Sequence, residues 1–525
     1  MFSDSPIFPS DDLKVEDDGD SEIQKFFSGA KILLTGGTGF MGRLLLEKLL
    51  RACRDIDTIY VIIRTKKNEN VNERLKKMFE GCLFDKVRNR DGLKKIVTLN
   101  GDLTRENLGL SRDDLETLVE EVTCVFHMAA TTRFNEHIRQ ATYINVRATW
   151  DLLELSRRMK KLRCFVHVST AYSFCTRRVI DEVKYSSKIK AEHLINMVEA
   201  LDDDELEKIT PVLLGKWPNT YTFTKAVAED IIIRKYSDLP LGIVRPSIVS
   251  PTAKEPLAGW SDTFGGLTAL VTGRFLGVLH VVHGEMNRDV DSVPGDYATN
   301  NIIAVAWEVA NKRLYRKRAR ARFNHPSSRC HQTPPIYNYV NSCQNPITFQ
   351  KSYPIVKKIW EKVPSVKGYG YPFLIDTTNE YLYLVLHFVF HVCVSYGYDA
   401  INVISGKPPF AVKRYKTLNN QLNYLNYFMR NKWTFTNFNT QRLWKDLSLK
   451  DQELFNFDIG TLNWEDYMEP FTYGTRVYLL RDSMDTVPEG LKIWRRFKIV
   501  HYTIVTSLVV SFVMFLYMLL RRFML

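Results

Sequence analysis

Short apolar runs alternate with longer stretches of helical periodicity through the first three hundred or so residues of the chain. Lys31 to Thr35, Thr58 to Ile63, Ile96 to Leu99, Thr123 to Phe126, Cys164 to Val168 and Gly242 to Val244 read as strands. They are apolar at nearly every position, as expected of strands covered on both faces. Helical segments separate several of them: Leu44, Leu45, Leu46, Leu49 and Leu50 after the first, then Ile144 to Arg158 and Tyr221 to Tyr236. This alternation predicts an α/β fold on a doubly wound parallel sheet.

Further along, the pattern changes. Lys312 to Arg322 holds seven Lys or Arg in eleven residues, and Pro326, Pro334, Pro335 and Pro346 follow. We therefore expect a sheet-bearing domain over 29–325, a linker over 326–353 and a mainly helical domain, rich in Tyr, Phe, Trp and Asn, over 354–490. The basic run reads equally as a solvated linker or as a surface for anionic lipid and phosphates. Ile499 to Leu520 is 22 residues without Asp, Glu, Lys or Arg. As a helix it spans roughly 33 Å, against about 30 Å of membrane hydrocarbon. Trp494, Arg495, Arg496 and Lys498 precede it and Arg521 and Arg522 follow, so 499–520 reads as a transmembrane tail anchor. A second apolar run, Tyr381 to Tyr396, has 16 residues and reads as a buried or membrane-grazing helix. Its His387 and His391 share a helix face, but no acidic third ligand stands nearby and no metal site is expected.

Composition narrows the classes. With 525 residues, 45% hydrophobic and 25% charged, the chain suits two or three packed units and excludes wholesale disorder. Eight single cysteines exclude a disulfide scaffold. Residues 1–28 carry eight acids and read as a solvated arm rather than a signal peptide, which favours a cytosolic body. The net charge of +13 admits nucleic acid, anionic cofactors and membranes, but no nucleic-acid module is present.

The candidate chemistry begins where the first strand ends. Gly36, Gly39 and Gly42, three apart and opening a helix, are arranged to bring backbone N–H groups to a pyrophosphate. The residue closing the second strand, which in such folds meets the adenosine ribose, is Arg64, with Lys66 and Lys67 behind it. A base there predicts NADP(H), because a guanidinium fork pairs with a 2′-phosphate. Asp57, at the strand's start, is wrongly placed for the ribose. Tyr-x-x-x-Lys occurs at Tyr221/Lys225 and at Tyr353/Lys357; only the first lies between sheet strands, and the second reads as structural. At i and i+4 on a helix, the Lys225 ammonium is expected near the Tyr221 phenol, favouring its ionised form and making it a usable proton donor. Lys225 can also bond a nicotinamide ribose. Ser169 and Thr170, after the fifth strand, offer two hydroxyls, one of which can hold a substrate oxygen.

Together, Thr35-Gly36-Gly37-Thr38-Gly39-Phe40-Met41-Gly42, Ser169-Thr170-Ala171-Tyr172 and Tyr221-Thr222-Phe223-Thr224-Lys225 resemble the extended short-chain dehydrogenase/reductase superfamily, and more narrowly the alcohol-forming fatty acyl-CoA reductases. Glu47 to Arg51, Gly101-Asp102-Leu103, His127 to Glu136, Pro218-Asn219-Thr220 and Arg245-Pro246-Ser247 support it. The similarity runs from about residue 28 to the terminal anchor. It implies a Rossmann-like domain, a helical second domain, and NADPH-dependent reduction of long-chain acyl-CoA to a primary alcohol in two hydride steps through an aldehyde. By carry-over Thr170 (or, second, Ser169), Tyr221 and Lys225 are catalytic and Asn145 completes a proton relay. Thr35 to Gly42, Arg64, Asp102, Leu103, Ala129 and Lys225 bind cofactor. The family tends to have Val-Pro-Val-Asp where this chain has Val293-Pro294-Gly295-Asp296. Such enzymes sit on the endoplasmic reticulum or peroxisome, with membrane lipid as a partner. Alternatives are an extended-type reductase of sterols or nucleotide-sugars, and a catalytically silent anchored scaffold.

Overall fold

A computed structural model describes residues 20–65, 69–88, 92–323 and 333–524. Seven strands form its central sheet: β1 (Lys31–Thr35), β2 (Thr58–Ile63), β3 (Ile96–Asn100), β4 (Cys124–His127), β5 (Cys164–Val168), β6 (Leu241–Pro246) and β7 (Ile336–Tyr339). Every pairing is parallel, and the spatial order is β7-β6-β5-β4-β1-β2-β3. The order reverses between β1 and β4, the place where doubly wound sheets leave a crevice at their carboxyl ends. Side-chain alternation divides the interior. Ile32 and Leu34 point into one core and Leu33 into the other, so the sheet is apolar on both faces.

Six strands lie where the apolar runs put them. The seventh lies inside the stretch expected to be a linker. Its prolines do not break it, because Pro334 and Pro335 precede the strand and the Pro335 carbonyl accepts from the Ile243 N–H at 3.0 Å. Ile336, Tyr337 and Tyr339 are buried against the sheet edge.

Five helices frame the functional end of the sheet: α1 (Glu22–Phe27), α2 (Phe40–Ala52), α3 (Thr220–Lys235), α4 (Gly266–Phe275) and α5 (Gly295–Phe323). Helix α5 carries the basic run, which is therefore helical rather than an open linker; the side chains of 313–323 lie outside the described residues. Residues 1–19 of the acidic arm also lie outside them. Its end is not solvated: Ile23, Phe26 and Phe27 of α1 are buried in the main core. Asp451 clamps α1 from the far half of the chain, accepting from the Ser21 hydroxyl at 2.5 Å and the Ile23 N–H at 3.2 Å.

The helical half builds no core apart from the sheet. Leu443, Phe455, Phe457, Ile459, Tyr467 and Phe471 join the same apolar cluster as Ile32 and Val166. Four further helices matter for the site and the membrane: α6 (Phe349–Lys362), α7 (Glu380–Ile404), α8 (Ala411–Arg430) and α9 (Val487–Met524). The α7 helix runs 25 residues, longer than its 16-residue apolar run, because Asn379 caps its start and it continues past Tyr396 to Ile404. Both α7 and α9 are long and apolar enough to cross a membrane. His387 and His391 bond each other at 3.0 Å, and His391 accepts from the His280 backbone N–H at 2.9 Å. No cluster of metal-ligating side chains occurs among the described residues.

One polar link runs through the interior. Glu229 of α3 and Arg245 of β6 are both fully buried and pair through Oε2 and Nη2 at 2.6 Å. Arg245 also donates to the Asp181 carbonyl at 3.0 Å. Removing one partner of such a pair strands the other charge, at a cost of about 3–5 kcal/mol. Arg245→Met is therefore expected to lower unfolding stability by about that amount, read as a drop in the thermal transition of the detergent-solubilised full chain; a transition equal to the wild type's contradicts this.

Candidate active site

The strand-to-helix turn after β1 is shaped by close backbone approaches. Gly36 has φ of +76°, and a Cβ there would lie 2.7 Å from the Ala129 nitrogen. A Cβ on Gly42 would meet the Gly36 carbonyl oxygen at 2.1 Å, so helix α2 can sit this near the loop only without a side chain. Gly39 is the N-cap of α2 and brings no capping side chain, which leaves the first N–H groups of the helix facing outward. This bare helix start, at the topological switch, fits a pyrophosphate.

Around it stand the other expected cofactor contacts. Arg64 is exposed directly after β2, and Lys66 and Lys67 lie outside the described residues. Two further guanidiniums escaped the sequence reading. Arg43, immediately after the third motif glycine, donates to the Thr38 carbonyl at 3.0 Å and pairs with Asp262 at 2.9 Å. Arg74 donates to the Arg64 carbonyl. Burial, then the Arg64 charge, with a smaller share from Arg43, holds Arg74 below its ordinary pKa. Three arginines crowded in this way form a positive site suited to a phosphate. Asp57 pairs with Lys31 at 3.7 Å, at the opposite end of the strands. Asp102 and Leu103 follow β3; the Asp102 carboxylate accepts from the Thr104 N–H and hydroxyl at 3.0 and 2.8 Å, which shapes that loop.

A buried threonine–histidine chain supports the loop after β4. The Thr35 hydroxyl lies 2.7 Å from His127 Nδ1 and accepts from the Ala129 N–H at 3.3 Å, while His127 Nε2 lies 2.8 Å from the Thr149 hydroxyl. Burial, helped by the Lys225 charge, pushes His127 down to about 3, so it is neutral and fixes geometry. Asn145 is buried and fully engaged. It accepts from the Thr131 N–H at 2.9 Å and donates to the Thr131 carbonyl at 3.2 Å and the Thr224 hydroxyl at 2.9 Å. These bonds tie the β4 loop to α3 at the residue before Lys225.

Helix α3 brings the reactive groups together. It is buried on nearly all sides, and Asn219 caps it by accepting from the Thr222 N–H at 2.9 Å. Tyr221, one residue into the helix, hydrogen-bonds the Thr170 side chain, and its ring stacks on Phe134 at 6.1 Å. Ser169 and Thr170 part ways: the Ser169 hydroxyl donates to the Glu229 carboxylate at 2.5 Å. Thr170 is thus the hydroxyl that faces the phenol.

Lys225 departs from expectation. Its ammonium does not neighbour the phenol but donates to the Val168 carbonyl at 2.7 Å, at the end of β5. Burial lowers Lys225 to about 8, opposed by Glu229 one turn on. Burial pushes Tyr221 up to about 12, and its hydrogen bond with Thr170 pulls the other way. A phenol so placed stays protonated at neutral pH, the form a proton donor needs. Tyr353, the second Tyr-x-x-x-Lys tyrosine, lies on α6 under the Arg274 guanidinium, 3.3 Å from its ring centroid, away from this site.

The unusual Gly295 also finds its reason here. A Cβ at that position would approach Leu44 Cδ1 to 2.7 Å and Phe40 Cζ to 3.1 Å, so the glycine lets α2 pack closely on the start of α5. Next to it, Asp296 accepts from the Ala253 and Lys254 N–H groups at 2.8 Å each. The Glu47 to Arg51 segment of α2 forms a buried charge cluster, with Lys48 and Arg51 both on Glu255 at 2.5 and 3.0 Å.

Comparisons with known proteins agree with this architecture. A family model described as "Male sterility protein", for the NAD-binding part, matches residues 34–302, and a second of the same description, for the Sterile part, matches 390–482. The chain is 35% identical over 506 residues to fatty acyl-CoA reductase wat of Drosophila melanogaster, covering 96% of this chain and 94% of that one. It is 36% identical to fatty acyl-CoA reductase 1 of Xenopus laevis, covering 93% and 92%, and 35% identical to its human counterpart over the same shares. Among solved structures, the terminal reductase domain of the myxalamid synthetase pathway superposes with a TM-score of 0.55 at 19% identity, covering 86% of this chain and 91% of that one. A reductase domain of a nonribosomal peptide synthetase from Mycobacterium tuberculosis gives 0.53 at 17%, covering 87% and 96%. The glycine turn at the switch point and the near full-length identity lead to one conclusion: the chain belongs to the fatty acyl-CoA reductases, oxidoreductases of the extended short-chain dehydrogenase/reductase superfamily that use a nicotinamide cofactor.

Proposed function

We propose that this protein reduces long-chain acyl-CoA to the primary alcohol with NADPH, in two steps through a retained aldehyde. The observation that carries the reading is the meeting of Thr170 and Tyr221 hydroxyls beside Lys225, within the same strand-end crevice as the bare α2 N-terminus. NADPH, when bound, supplies the hydride for each reduction. The α2 N-terminus and the Gly36 turn would hold its pyrophosphate, and Arg64 with Arg74 and Arg43 its 2′-phosphate.

The residues then divide the work. Hydride addition to the thioester carbonyl places negative charge on oxygen, and the Thr170 and Tyr221 hydroxyls donate hydrogen bonds to it. Collapse of that oxyanion restores the carbonyl and expels CoA thiolate, leaving the aldehyde. On the second addition Tyr221 passes its proton to the alkoxide, which its raised pKa keeps available. Lys225 holds the nicotinamide ribose, and Asn145 acts as a positioning residue: its amide is occupied by Thr131 and Thr224, which argues against a relay. Helix α9 holds the body on the cytosolic side of the endoplasmic reticulum or peroxisome. Trp494, Arg495 and Arg496 at its head support that placement.

Gas chromatography of products from membranes carrying the full chain, given NADPH and hexadecanoyl-CoA, is expected to show hexadecanol, with turnover down at least about 10²-fold in Tyr221→Phe. Aldehyde as the only product, or an undiminished Tyr221→Phe, overturns the mechanism. Charge-assisted hydrogen bonds contribute about 1.5–3 kcal/mol, so Arg64→Ala combined with Arg74→Ala is expected to raise the NADPH Michaelis constant tenfold or more and leave that for NADH in place. An equal rise for both cofactors assigns the arginines to something other than the 2′-phosphate. Lys225 is fully charged below about 8 and loses its charge as the pH rises through that value. NADPH affinity is therefore expected to weaken above about pH 8 in the wild type and to stay level there in Lys225→Arg, whose guanidinium remains charged. Titration calorimetry across the range distinguishes the two profiles.

A further inference from the structure

Two clefts lie end to end between the catalytic hydroxyls and the head of α9. The first, about 760 Å³, is lined by Tyr172, Leu270, Phe349, Phe428, Met429 and Trp433 among others. It begins at the active site. The Tyr172 N–H donates to the Thr170 hydroxyl at 3.2 Å, and the Phe428 ring lies 5.5 Å from Phe134, the ring on which Tyr221 stacks. The second, about 580 Å³, is lined by Val271, Met286, Phe349, Tyr353, Val356 and Trp494 among others. Both volumes fall within the range of about 300–1,000 Å³ usual for small-molecule sites.

Phe349, the first residue of α6, lines both. The wall on either side of it is continuous. Leu270 faces the first cleft and its neighbour Val271 the second, both on α4. Phe349 packs on Leu270, Leu279, Val282 and Leu422, with Met286 and Met429 alongside, so the partition is made of an aromatic ring and flexible thioethers that can shift. At the far end Trp494 and Tyr371 line the mouth, and Tyr371 lies 4.9 Å from His501 and 5.7 Å from Tyr502, where the uncharged stretch of α9 begins. Charged groups are present but engaged. Arg274 stacks over the Tyr353 ring, and Arg288 pairs with Glu285 at 2.9 Å on the first rim.

We infer that the two clefts form one passage for the hydrocarbon tail of the substrate. The thioester carbon sits at Thr170 and Tyr221, the tail runs along the first cleft, and Phe349 separates chains that end there from chains that continue into the second. The inference rests on the acyl-CoA reading above and adds to it the residues that set chain length.

The test uses the detergent-solubilised full chain and a series from octanoyl-CoA to octadecanoyl-CoA. Val271→Trp fills the second cleft and Phe349→Trp blocks its entrance. Since a single methylene in an apolar pocket changes kcat/KM by roughly 10-fold or more, each variant is expected to lower the octadecanoyl-to-octanoyl ratio of kcat/KM by at least about tenfold. A ratio equal to the wild type's overturns the passage. A second measurement covers poor folding of either variant: wild-type protein is photolysed with octadecanoyl-CoA carrying a diazirine at its terminal carbon. Label on Val271, Tyr353, Val356 or Trp494 supports the passage, and label confined to residues outside both clefts overturns it. A wild type that reduces no member of the series removes the acyl-CoA reading, and the passage with it. A wild type that reduces them all, with an unmoved ratio or label elsewhere, removes the passage alone.

Discussion

The buried pair of Glu229 and Arg245 is the interaction on which the site's geometry depends. Four pieces of chain meet there: α3 through Glu229, β6 through Arg245, the end of β5 through the Ser169 hydroxyl, and the segment after β5 through the Asp181 and Val183 carbonyls. Two charges out of water are retained only with nearly complete hydrogen bonding, and these have it. The consequence is rotational. With Glu229 fixed, Lys225 one turn earlier faces Val168 and Tyr221 one turn earlier still faces Thr170. The serine is consumed in building the frame, which leaves the adjacent threonine for chemistry.

The sheet was legible because strands covered on both faces need apolar residues throughout, and nothing in this composition imitates six such runs in sequence. The glycine turn was equally legible, since its spacing follows from backbone distances rather than from side-chain contacts. What escaped were features made by neighbours distant in sequence. Strand β7 hides behind two prolines, and α1 hides among acids although Ile23, Phe26 and Phe27 already have helical spacing. Arg74 reaches the cofactor side only because α-helical and loop segments after β2 fold back toward Arg64. The direction of the Lys225 side chain was also beyond sequence reasoning. An i, i+4 spacing places two residues on one face, but a free carbonyl at a strand end decides where the ammonium goes.

The helical half proved inseparable from the sheet. Asp451 holds α1, Arg442 pairs with Glu308 of α5 at 3.0 Å, and the Tyr339 hydroxyl of β7 donates to the Phe457 carbonyl at 2.8 Å. Aromatic excess in that half, which sequence could register only as composition, serves two purposes. Some rings complete the common core, and others, such as Phe428 and Trp433, wall the crevice beside Thr170.

Helix α7 has a practical consequence. Tyr381, Leu384, Val385, Phe388 and Val389 recur at three- and four-residue spacing and are exposed, as are Ile401 and Ile404 further along. A strip of this kind does not stay in water unaccompanied. Shortening the chain before Val487, the usual route to a soluble enzyme, would remove α9 and keep that strip, so the trimmed protein would still demand detergent or lipid and would otherwise self-associate.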